Sequence, residues 1–360
     1  MILDLYIKNK SLETIGIIDN ASSVIWTKRY NDFGDFEIYV KASKTLLDIV
    51  KPAYYVTRFD DDMVGIIEKI TLTTDIENGD YITIAGRDLL SLLTRRVFIG
   101  TSKYNNLSPE VVIRNMVDKN CINTDIEVRK INEMILGDYR GLTTDTTIDM
   151  QVTGSNLYDE VVDLAKRFNL GLKMTLNDNN NFVFDTYKST DRSYNQSAVP
   201  FVVFSDDYSN LINTTYTFDA TEFKNVAVVA GQGEGENRAL ETTYTKDWKY
   251  IDRYETFVDA NDVESTEQPP KLIGASMAKY YELAERGQNK LAEVAPITTF
   301  EGDVDTSRTY KYKSDYFVGD IVQIKNEYGL TATAQITEII ESEDENGYSV
   351  IPTFAEWEVN

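Results

Sequence analysis

The strongest constraint on the fold is the strand pattern of residues 1–86, where short segments alternate apolar and polar side chains without an intervening helical segment. Alternation of this kind places every second side chain on one face of a strand. The acidic turn Asp60-Asp61-Asp62 joins two such segments, and Asn78-Gly79 marks a hairpin because this dipeptide fits a tight β turn. A meander of short strands predicts a small β-barrel or sandwich.

Two helical patterns lie within residues 98–198. Ser108 is a candidate N-cap, Pro109 suits the first helical position, and Glu110 suits the positive end of the helix dipole. A second helix is predicted by apolar residues that share one face, and Gly171 is its expected stop signal. That face comprises Leu157, Val161, Leu164, Ala165 and Phe168.

The strand pattern returns near residue 199 and is interrupted once. Pro269-Pro270 leads into a helical segment from about Lys271 to Val294, which Pro296 ends. Two later alternating runs are joined by a turn at Glu327-Tyr328-Gly329. The predicted fold class is mainly β with α+β insertions, comprising two small β-barrel domains and two helix-containing excursions. The predicted domains are a first β-barrel (1–97), an α+β domain (98–198), a second β-barrel (199–238 and 298–360) and a helix-containing insertion (239–297).

Histidine is absent from the sequence. Its absence excludes Ser-His-Asp triads and His-containing zinc sites, and it removes the side chain that most readily acts as a base near neutral pH. The single cysteine, Cys121, allows no internal disulfide. Enzymes that use carboxylates, lysine or tyrosine remain open, but no catalytic residue, cofactor site or metal site is predicted.

No apolar run approaches the roughly 18 residues that a membrane span needs. Asp4 interrupts the apolar core that a signal peptide would require, so neither a membrane span nor a signal peptide is predicted.

The charge balance is strongly acidic, with 36 basic and 59 acidic residues and a net charge of −23. Affinity for nucleic acid depends on clustered lysine and arginine, so such a surface is expected to repel DNA. The same property suits a passage through which DNA slides without binding, although most acidic proteins have no such role.

One glycine-rich stretch superficially resembles a dinucleotide-binding motif. A strand of buried character, residues 226–230, runs into Gly231, Gly233 and Gly235. The motif requires a further glycine at the sixth position and a helix that meets the pyrophosphate. The sixth position is Glu236, whose charge would repel phosphate, and no clear amphipathic helix follows. The stretch is therefore interpreted as a Gly-rich turn or strand crossover.

The stretch YITIAGRDLLSLLTRRVFIG, residues 81–100, changes from strand alternation to a helical pattern at Gly86. Asp88 is placed to act as an N-cap. The leucines and Val97 cover an arc of about 160° around the helix axis, which is too wide for packing against one flat surface. This helix is therefore predicted to pack between two parts of the protein. Arg95 falls outside that arc, whereas Arg96 falls inside it and is expected to form an ion pair with an acidic side chain. Together, Gly86, Asp88, Arg95 and Arg96 are predicted to form a structural elbow.

Acidic clusters are candidates for ion sites, but their spacing favours turns. Residues 259–265 lack the glycine and the terminal glutamate of a calcium loop, and residues 342–347, SEDENG, suit a solvated hairpin tip. No pair of carboxylates can be nominated for a glycosidase. A cell-wall hydrolase that uses carboxylates and a carbohydrate-binding adhesin built from β domains stay open as alternative functions.

Four stretches, taken in their order along the chain, resemble one known group: the tail hub proteins at the tip of long-tailed phages and related particles, including the siphophage Gp37-like minor tail proteins. Each stretch is mainly strand and turn, and together they extend over most of the chain. They are TKRYNDFGDFEIYV (27–40), ITIAGRDLLSLLTRRV (82–97), NVAVVAGQGEGENR (225–238) and FVGDIVQIKNEYGLTATAQITEII (317–340).

The resemblance implies a homotrimer in which each copy contributes two β-barrels to a pseudo-sixfold ring that continues the tail tube. Implied partners are a distal tail or tail-tube protein, the tape-measure protein, and a fibre or receptor-binding protein, with DNA only as transported cargo. It also implies a place at the tail tip of the virion, with the chain made in the host cytoplasm. The chain ends at Asn360, soon after the hub-like part, so no fibre, peptidase or lysozyme region is expected.

Overall fold

The computed structural model describes residues 4–77, 79–233, 238–246, 248–263, 277–304, 309–325 and 331–359. The chain divides into two compact units. Unit 1 comprises Met1–Thr215 and Phe300–Asn360, and unit 2 comprises Tyr216–Thr299. The four-part domain division given above stays a prediction. Among the described helices, none combines the length and the apolar character that crossing a bilayer would require.

The N-terminal part of unit 1 is an antiparallel meander, as the alternation predicts, but a short helix, Lys44–Ile49, interrupts it where no helix was predicted. Ser43 caps this helix, because its hydroxyl accepts a hydrogen bond from the N–H of Leu46 (3.1 Å). In β4 (Asp35–Lys41), for example, Phe36, Ile38 and Val40 are buried while the residues between them are not, so one face of the strand enters the core. Gly79 has a positive φ in the hairpin between β6 (Val64–Thr73) and β7 (Tyr81–Asp88), whereas Asn78 lies outside the described residues. The elements are β1 (Leu5–Lys8), β2 (Thr14–Ile18), β3 (Ala21–Arg29), β4 (Asp35–Lys41), α1 (Lys44–Ile49), β5 (Tyr55–Arg58), β6 (Val64–Thr73) and β7 (Tyr81–Asp88).

An α+β part follows, built around two helices. It begins with a 3-10 helix, Leu89–Arg95, and includes a π-helical turn, Asp118–Ile122, and a short 3-10 turn, Glu127–Arg129. Its other elements are β8 (Thr101–Leu107), α2 (Pro109–Val117), β9 (Met134–Leu136), β10 (Ile148–Thr153), α3 (Leu157–Arg167), β11 (Gly171–Leu176) and β12 (Phe182–Tyr187).

The predicted apolar face of α3 is confirmed, because four of its five members are buried and Phe168 packs against the same core. The helix ends differently from the prediction. Asn169 adopts the left-handed conformation after the last turn, whereas Gly171 already belongs to β11. Gly171 is instead required by packing, since a Cβ there would lie 2.6 Å from the ring of Tyr30.

Helix α2 starts at Pro109, and Ser108 has the extended backbone of an N-cap. Its hydroxyl makes no capping hydrogen bond in the described part of the chain. Glu110 is fully buried, and its carboxylate accepts hydrogen bonds from the backbone N–H groups of Arg140 (3.1 Å) and Leu142 (2.6 Å). Glu110 therefore anchors a distant loop, a role that its position in the first helical turn did not indicate.

Unit 2 is a small α/β body. Its central strand β15 (Val226–Ala230) pairs antiparallel with β16 (Leu240–Tyr244) and parallel with β17 (Glu255–Asp259). Helix α4 (Met277–Glu293) packs on this sheet. Helix α4 ends shortly before Pro296, while Pro269-Pro270 and Lys271 lie outside the described residues. In chain order, the elements between residues 203 and 293 are β13 (Val203–Ser205), a 3-10 turn (Asp206–Tyr208), β14 (Leu211–Asp219), β15 (Val226–Ala230), β16 (Leu240–Tyr244), a 3-10 turn (Tyr250–Asp252), β17 (Glu255–Asp259) and α4 (Met277–Glu293).

The C-terminal strands complete the main sheet. They are β18 (Ile297–Val304), β19 (Ile321–Lys325), β20 (Thr331–Asp344) and β21 (Gly347–Val359). The hairpin between β20 and β21 has an exposed tip at residues 344–347, which confirms the solvated tip predicted there. The predicted turn at Glu327-Tyr328-Gly329 lies outside the described residues.

The chain is mainly β, as predicted, but the described strands form no closed barrel. One sheet has the order β14-β18-β21-β20-β3-β4-β7-β6-β5-β1-β2, with β19 paired to β20 and β13 paired to β19. The reason is the length of β20: residues 331–335 pair with β19, and residues 338–343 pair with β3. A register shift against β21 between Ile336 and Glu338 separates these two halves, so one bent strand serves both β regions.

Candidate functional site

The predicted elbow begins at Gly86, inside β7. A Cβ at this position would lie 1.8 Å from the carbonyl oxygen of Ile66 on the adjacent strand. The ladder between β6 and β7 shifts register at Ile67/Lys69, which brings the two backbones together here. Glycine is therefore required by close backbone approach.

Asp88 lies where β7 passes into the 3-10 helix. Its Oδ1 accepts a hydrogen bond from the N–H of Leu90 (2.8 Å), which is N-cap geometry, and its Oδ2 accepts one from the N–H of Gly34 (2.8 Å). Burial raises the pKa of Asp88 to about 7, although these backbone hydrogen bonds oppose the shift. Both carboxyl oxygens are thus used to fix the backbone of two segments.

The 3-10 helix buries all its leucines in a core that contains residues from the meander, α2 and α3. Val97, predicted to share that face, is instead 49% exposed, because the helix has already ended at Arg95. Arg95 lies 3.9 Å from Glu68. Arg96 donates to the carbonyl oxygen of Arg129 (2.8 and 3.1 Å), so its expected acidic partner is replaced by a backbone acceptor.

A second group of side chains, which the sequence did not single out as a site, lies where the meander meets the C-terminal strands. It contains three cations and four carboxylates within hydrogen-bonding or ion-pairing distance of one another. We call it the charged joint. Its members are Lys28, Arg58, Asp60, Asp61, Asp62, Lys313 and Glu341.

Asp61 is the buried centre of the charged joint. Lys28 Nζ lies 3.0 Å from its Oδ1, and Lys313 Nζ lies 2.7 Å from its Oδ2. The backbone N–H of Met63 also donates to Oδ1 (2.8 Å). Burial raises the pKa of Asp61, but the two lysines outweigh this effect and hold the pKa well below its usual value. The carboxylate therefore stays charged at neutral pH.

Arg58 forms the other half of the joint, with its side chain completely buried. Its guanidinium donates to both carboxyl oxygens of Asp60 (2.7 and 3.0 Å) and to Oε1 of Glu341 (3.1 Å). The hydroxyl of Tyr348 also donates to that Glu341 oxygen (2.6 Å). The guanidinium carbon lies 5.6 Å from the ring centroid of Trp26, within cation–π range.

The charged joint connects parts that are distant in sequence. Lys28 and Arg58 belong to the meander, Lys313 precedes β19, and Glu341 lies on β20. An open cleft of about 380 Å³ adjoins the joint, and Lys173 on β11 also lines it. Asp60-Asp61-Asp62 is a turn, as predicted, but its central carboxylate is buried in ion pairs.

The chemistry available in the charged joint is that of a structural contact. Each carboxylate in the joint has a cationic partner, and removing one partner of a buried pair leaves a costly uncompensated charge. Across the described ranges, no group of three or more His, Cys, Asp or Glu side chains is arranged to hold a metal ion. Cys121 is buried, and burial raises the pKa of its thiol to about 11.

The Gly-rich stretch connects two antiparallel strands. Ala230, at the end of β15, is opposite Leu240, at the start of β16. Gly231 donates to the carbonyl oxygen of Ala239 (2.9 Å), and Gly233 has a φ of +128°. Gly235 lies outside the described residues. The next described element after this stretch is a strand, whereas a dinucleotide site requires a helix at this point.

The whole chain resembles known tail proteins in structure. A 43 kDa tail protein of prophage MuSo2 from Shewanella oneidensis has a TM-score of 0.60 at 16% identity, with 98% of each chain covered. A tail protein from Neisseria meningitidis MC58 gives 0.58 at 11% identity, covering 99% of this chain and 97% of that one. Prophage tail protein gp18 from Listeria monocytogenes EGD-e gives 0.55 at 12% identity, covering 98% and 94%. These likenesses establish a shared fold.

The chain matches no curated protein. Its sequence does match one protein family, described as Siphovirus ReqiPepy6 Gp37-like protein, over residues 4–354. This match extends over almost the full length, including both β regions, the α+β part and unit 2. The chain therefore belongs to the Siphovirus ReqiPepy6 Gp37-like protein family.

Proposed function

We propose that this phage tail protein is the hub of the tail tip, where three copies form a ring that continues the tail tube. The observation that carries the proposal is the pairing of β20 with β3, which joins the two β regions of one chain edge to edge. Three such chains supply six β regions, the number needed to match a sixfold tube with a threefold ring.

The charged joint supports this role because it fixes the angle between the two β regions. Arg58 and Glu341 contact each other across the β20–β3 boundary, although they are 283 residues apart. A ring closes only if every chain holds the same angle, so a joint of buried, paired charges suits a repeated structural element.

The acidic composition supports passage of DNA. A net charge of −23 per chain gives a threefold ring a strong negative potential. DNA entering such a ring is repelled from the wall and does not bind to it. We propose DNA, and the tape-measure protein before it, as cargo of this channel, and a distal tail or tail-tube protein and a fibre as neighbours.

No catalytic role is proposed. The most deeply buried carboxylates in the charged joint and at Glu110 hold cations or backbone N–H groups, so they are committed to structure. A carboxylate hydrolase needs one acid that stays protonated near neutral pH. Asp88 has a pKa of about 7, but both its oxygens are bound to backbone N–H groups.

The oligomeric state tests the proposal. Light scattering of the purified full-length chain should give about 123 kDa, which is three times 41.0 kDa. Negative-stain images classified without imposed symmetry should show a threefold ring with a central hole. A monomer at all concentrations, with or without a purified tail-tube partner, would refute the ring. Release of dye from labelled peptidoglycan, or glycan binding by a monomer, would favour a hydrolase or an adhesin instead.

A further inference from the structure

Unit 2 carries an exposed turn that contributes nothing to its apolar core. Tyr250 and Ile251, in the 3-10 turn Tyr250–Asp252, are 93% and 89% exposed, and neither belongs to the core cluster of this unit. Apolar surface that stays in water gives no stabilisation on folding. The side chains of this turn are therefore available for contact with a ligand.

The backbone of Tyr250 is strained. Its φ is +57°, in the left-handed region that a bulky side chain rarely adopts. Glycine adopts this conformation without steric cost. Strained residues are concentrated at binding and active sites. A tyrosine that is both strained and almost fully exposed therefore indicates a role for its ring rather than a role in packing.

An open groove of about 300 Å³ lies at this turn, lined by Trp248, Lys249, Tyr250 and Asp252. Its volume is at the lower end of the range for ligand sites, about 300–1,000 Å³. Two aromatic rings, one ammonium group and one carboxylate form its lining. Ligand sites typically combine aromatic walls with a few polar groups that orient the ligand, and this groove has that composition.

Neighbouring side chains hold Trp248 in place. Its ring centroid lies 4.4 Å from that of Tyr244 on β16. The guanidinium carbon of Arg253 lies 5.5 Å from the ring of Trp248, within cation–π range, and Lys249 Nζ lies at the same distance. This wall of the groove is fixed before a ligand arrives, which reduces the entropy lost on binding.

The charges of the groove select the class of ligand. Lys249 and Asp252 carry opposite charges, and the nearby Arg253 is paired with Glu255, so the groove favours neither an anion nor a cation. The net charge of −23 disfavours phosphate-bearing ligands further. A neutral ligand with one apolar face and a polar rim is therefore expected.

A pyranose sugar has these properties. One face of its ring presents C–H groups, which pack on the negative face of an aromatic ring. Its rim carries hydroxyls, each of which donates and accepts hydrogen bonds, so a carboxylate and an ammonium group can both bind it.

We propose that this groove binds a neutral pyranose sugar. Tyr250 stacks on the C–H face, the carboxylate of Asp252 accepts hydrogen bonds from hydroxyls, and the ammonium group of Lys249 donates to them. All of these residues belong to unit 2 of one chain, so the site is complete without a second copy. This function goes beyond the hub role proposed above and does not depend on it.

Saturation-transfer NMR of the full-length chain tests the site. The probes are cellotriose, mannotriose and the trisaccharide of N-acetylglucosamine. Irradiation of the aromatic protons of the protein should transfer signal to the ring C–H protons of at least one of these sugars. Tyr250→Gly should weaken its binding about tenfold, because the stacking contact is lost. Ile251→Ala is the matched control, since Ile251 belongs to the same turn and is exposed but does not line the groove, and binding should be unchanged.

The choice of glycine separates binding from folding. Because glycine relieves the strain at this φ, Tyr250→Gly should leave the Tm nearly unchanged. A large fall in its Tm would show that the ring supports the fold and would overturn the inference. The absence of transfer to all three sugars, or equal binding by the wild type and Tyr250→Gly, would overturn it as well. Sugar binding by a wild-type chain that stays monomeric would support this site while refuting the ring.

Discussion

Replacing Arg58 with methionine should destabilise the protein strongly, because it leaves Glu341 without its guanidinium partner. Glu341 is 1% exposed, so its charge cannot be solvated by water. Breaking a buried ion pair in this way typically costs about 3–5 kcal/mol. Lys313 remains 3.1 Å from Glu341 and compensates part of its charge. The expected loss of unfolding free energy therefore lies at the lower end of this range, about 3 kcal/mol.

The assay is the thermal unfolding of unit 1, measured by calorimetry at one protein concentration, since the Tm of an oligomer depends on concentration. A loss of 1 kcal/mol lowers the Tm of a domain of 150–250 residues by about 2–4 °C, and the shift is smaller for larger domains. Unit 1 is larger than this range, so Arg58→Met should lower its Tm by about 6 °C. The matched control is Arg87→Met, which removes an ion pair with Glu68 at the surface. That change should cost at most about 1 kcal/mol.

A double-mutant cycle isolates the contact itself. If Arg58 and Glu341 stabilise each other, Arg58→Met combined with Glu341→Gln should cost less than the two single changes added together, by about 1–3 kcal/mol. The account of the charged joint would be refuted if the losses of unfolding free energy in the two single variants were additive, or if Arg58→Met lost less than about 1 kcal/mol.

Three further changes follow from the site geometry. Gly86→Ala should prevent folding of the purified chain, as judged by circular dichroism, because its Cβ would lie 1.8 Å from the carbonyl oxygen of Ile66. Because the pKa of Asp61 is lowered, its ion pairs stabilise the fold at pH values above the ordinary carboxyl pKa, near 4. This stability is lost as the pH falls below that value. Asp61→Asn should therefore weaken the dependence of the Tm on pH in this acidic range. Asp88, with its pKa raised to about 7, acts in the opposite direction, so its share of the stability should fall as the pH rises from about 4 to 7, and Asp88→Asn should abolish that part of the slope.

Features set by neighbouring residues could be predicted from the sequence. The alternation in β4, the apolar face of α3 and the tip between β20 and β21 follow from periods of 2 and 3.6 and from turn chemistry, and the structure has all of them. Asp88 also has N-cap geometry at the position where the helical pattern begins.

Features set by distant residues could not be predicted. The charged joint depends on contacts such as Arg58 with Glu341, 283 residues apart, and each of these residues alone has the sequence context of an ordinary strand residue. The same is true of β20, whose length allowed it to pair with both β19 and β3. The sequence predicted two separate barrels because it indicates strands but not which strands pair.

Electron cryo-microscopy of intact particles that contain this chain tests the central claim most directly. The account predicts one ring of three copies at the end of the tail tube, with both β regions of each copy around the channel. Copies of the chain repeated along the tube, or located away from the channel axis, would contradict it.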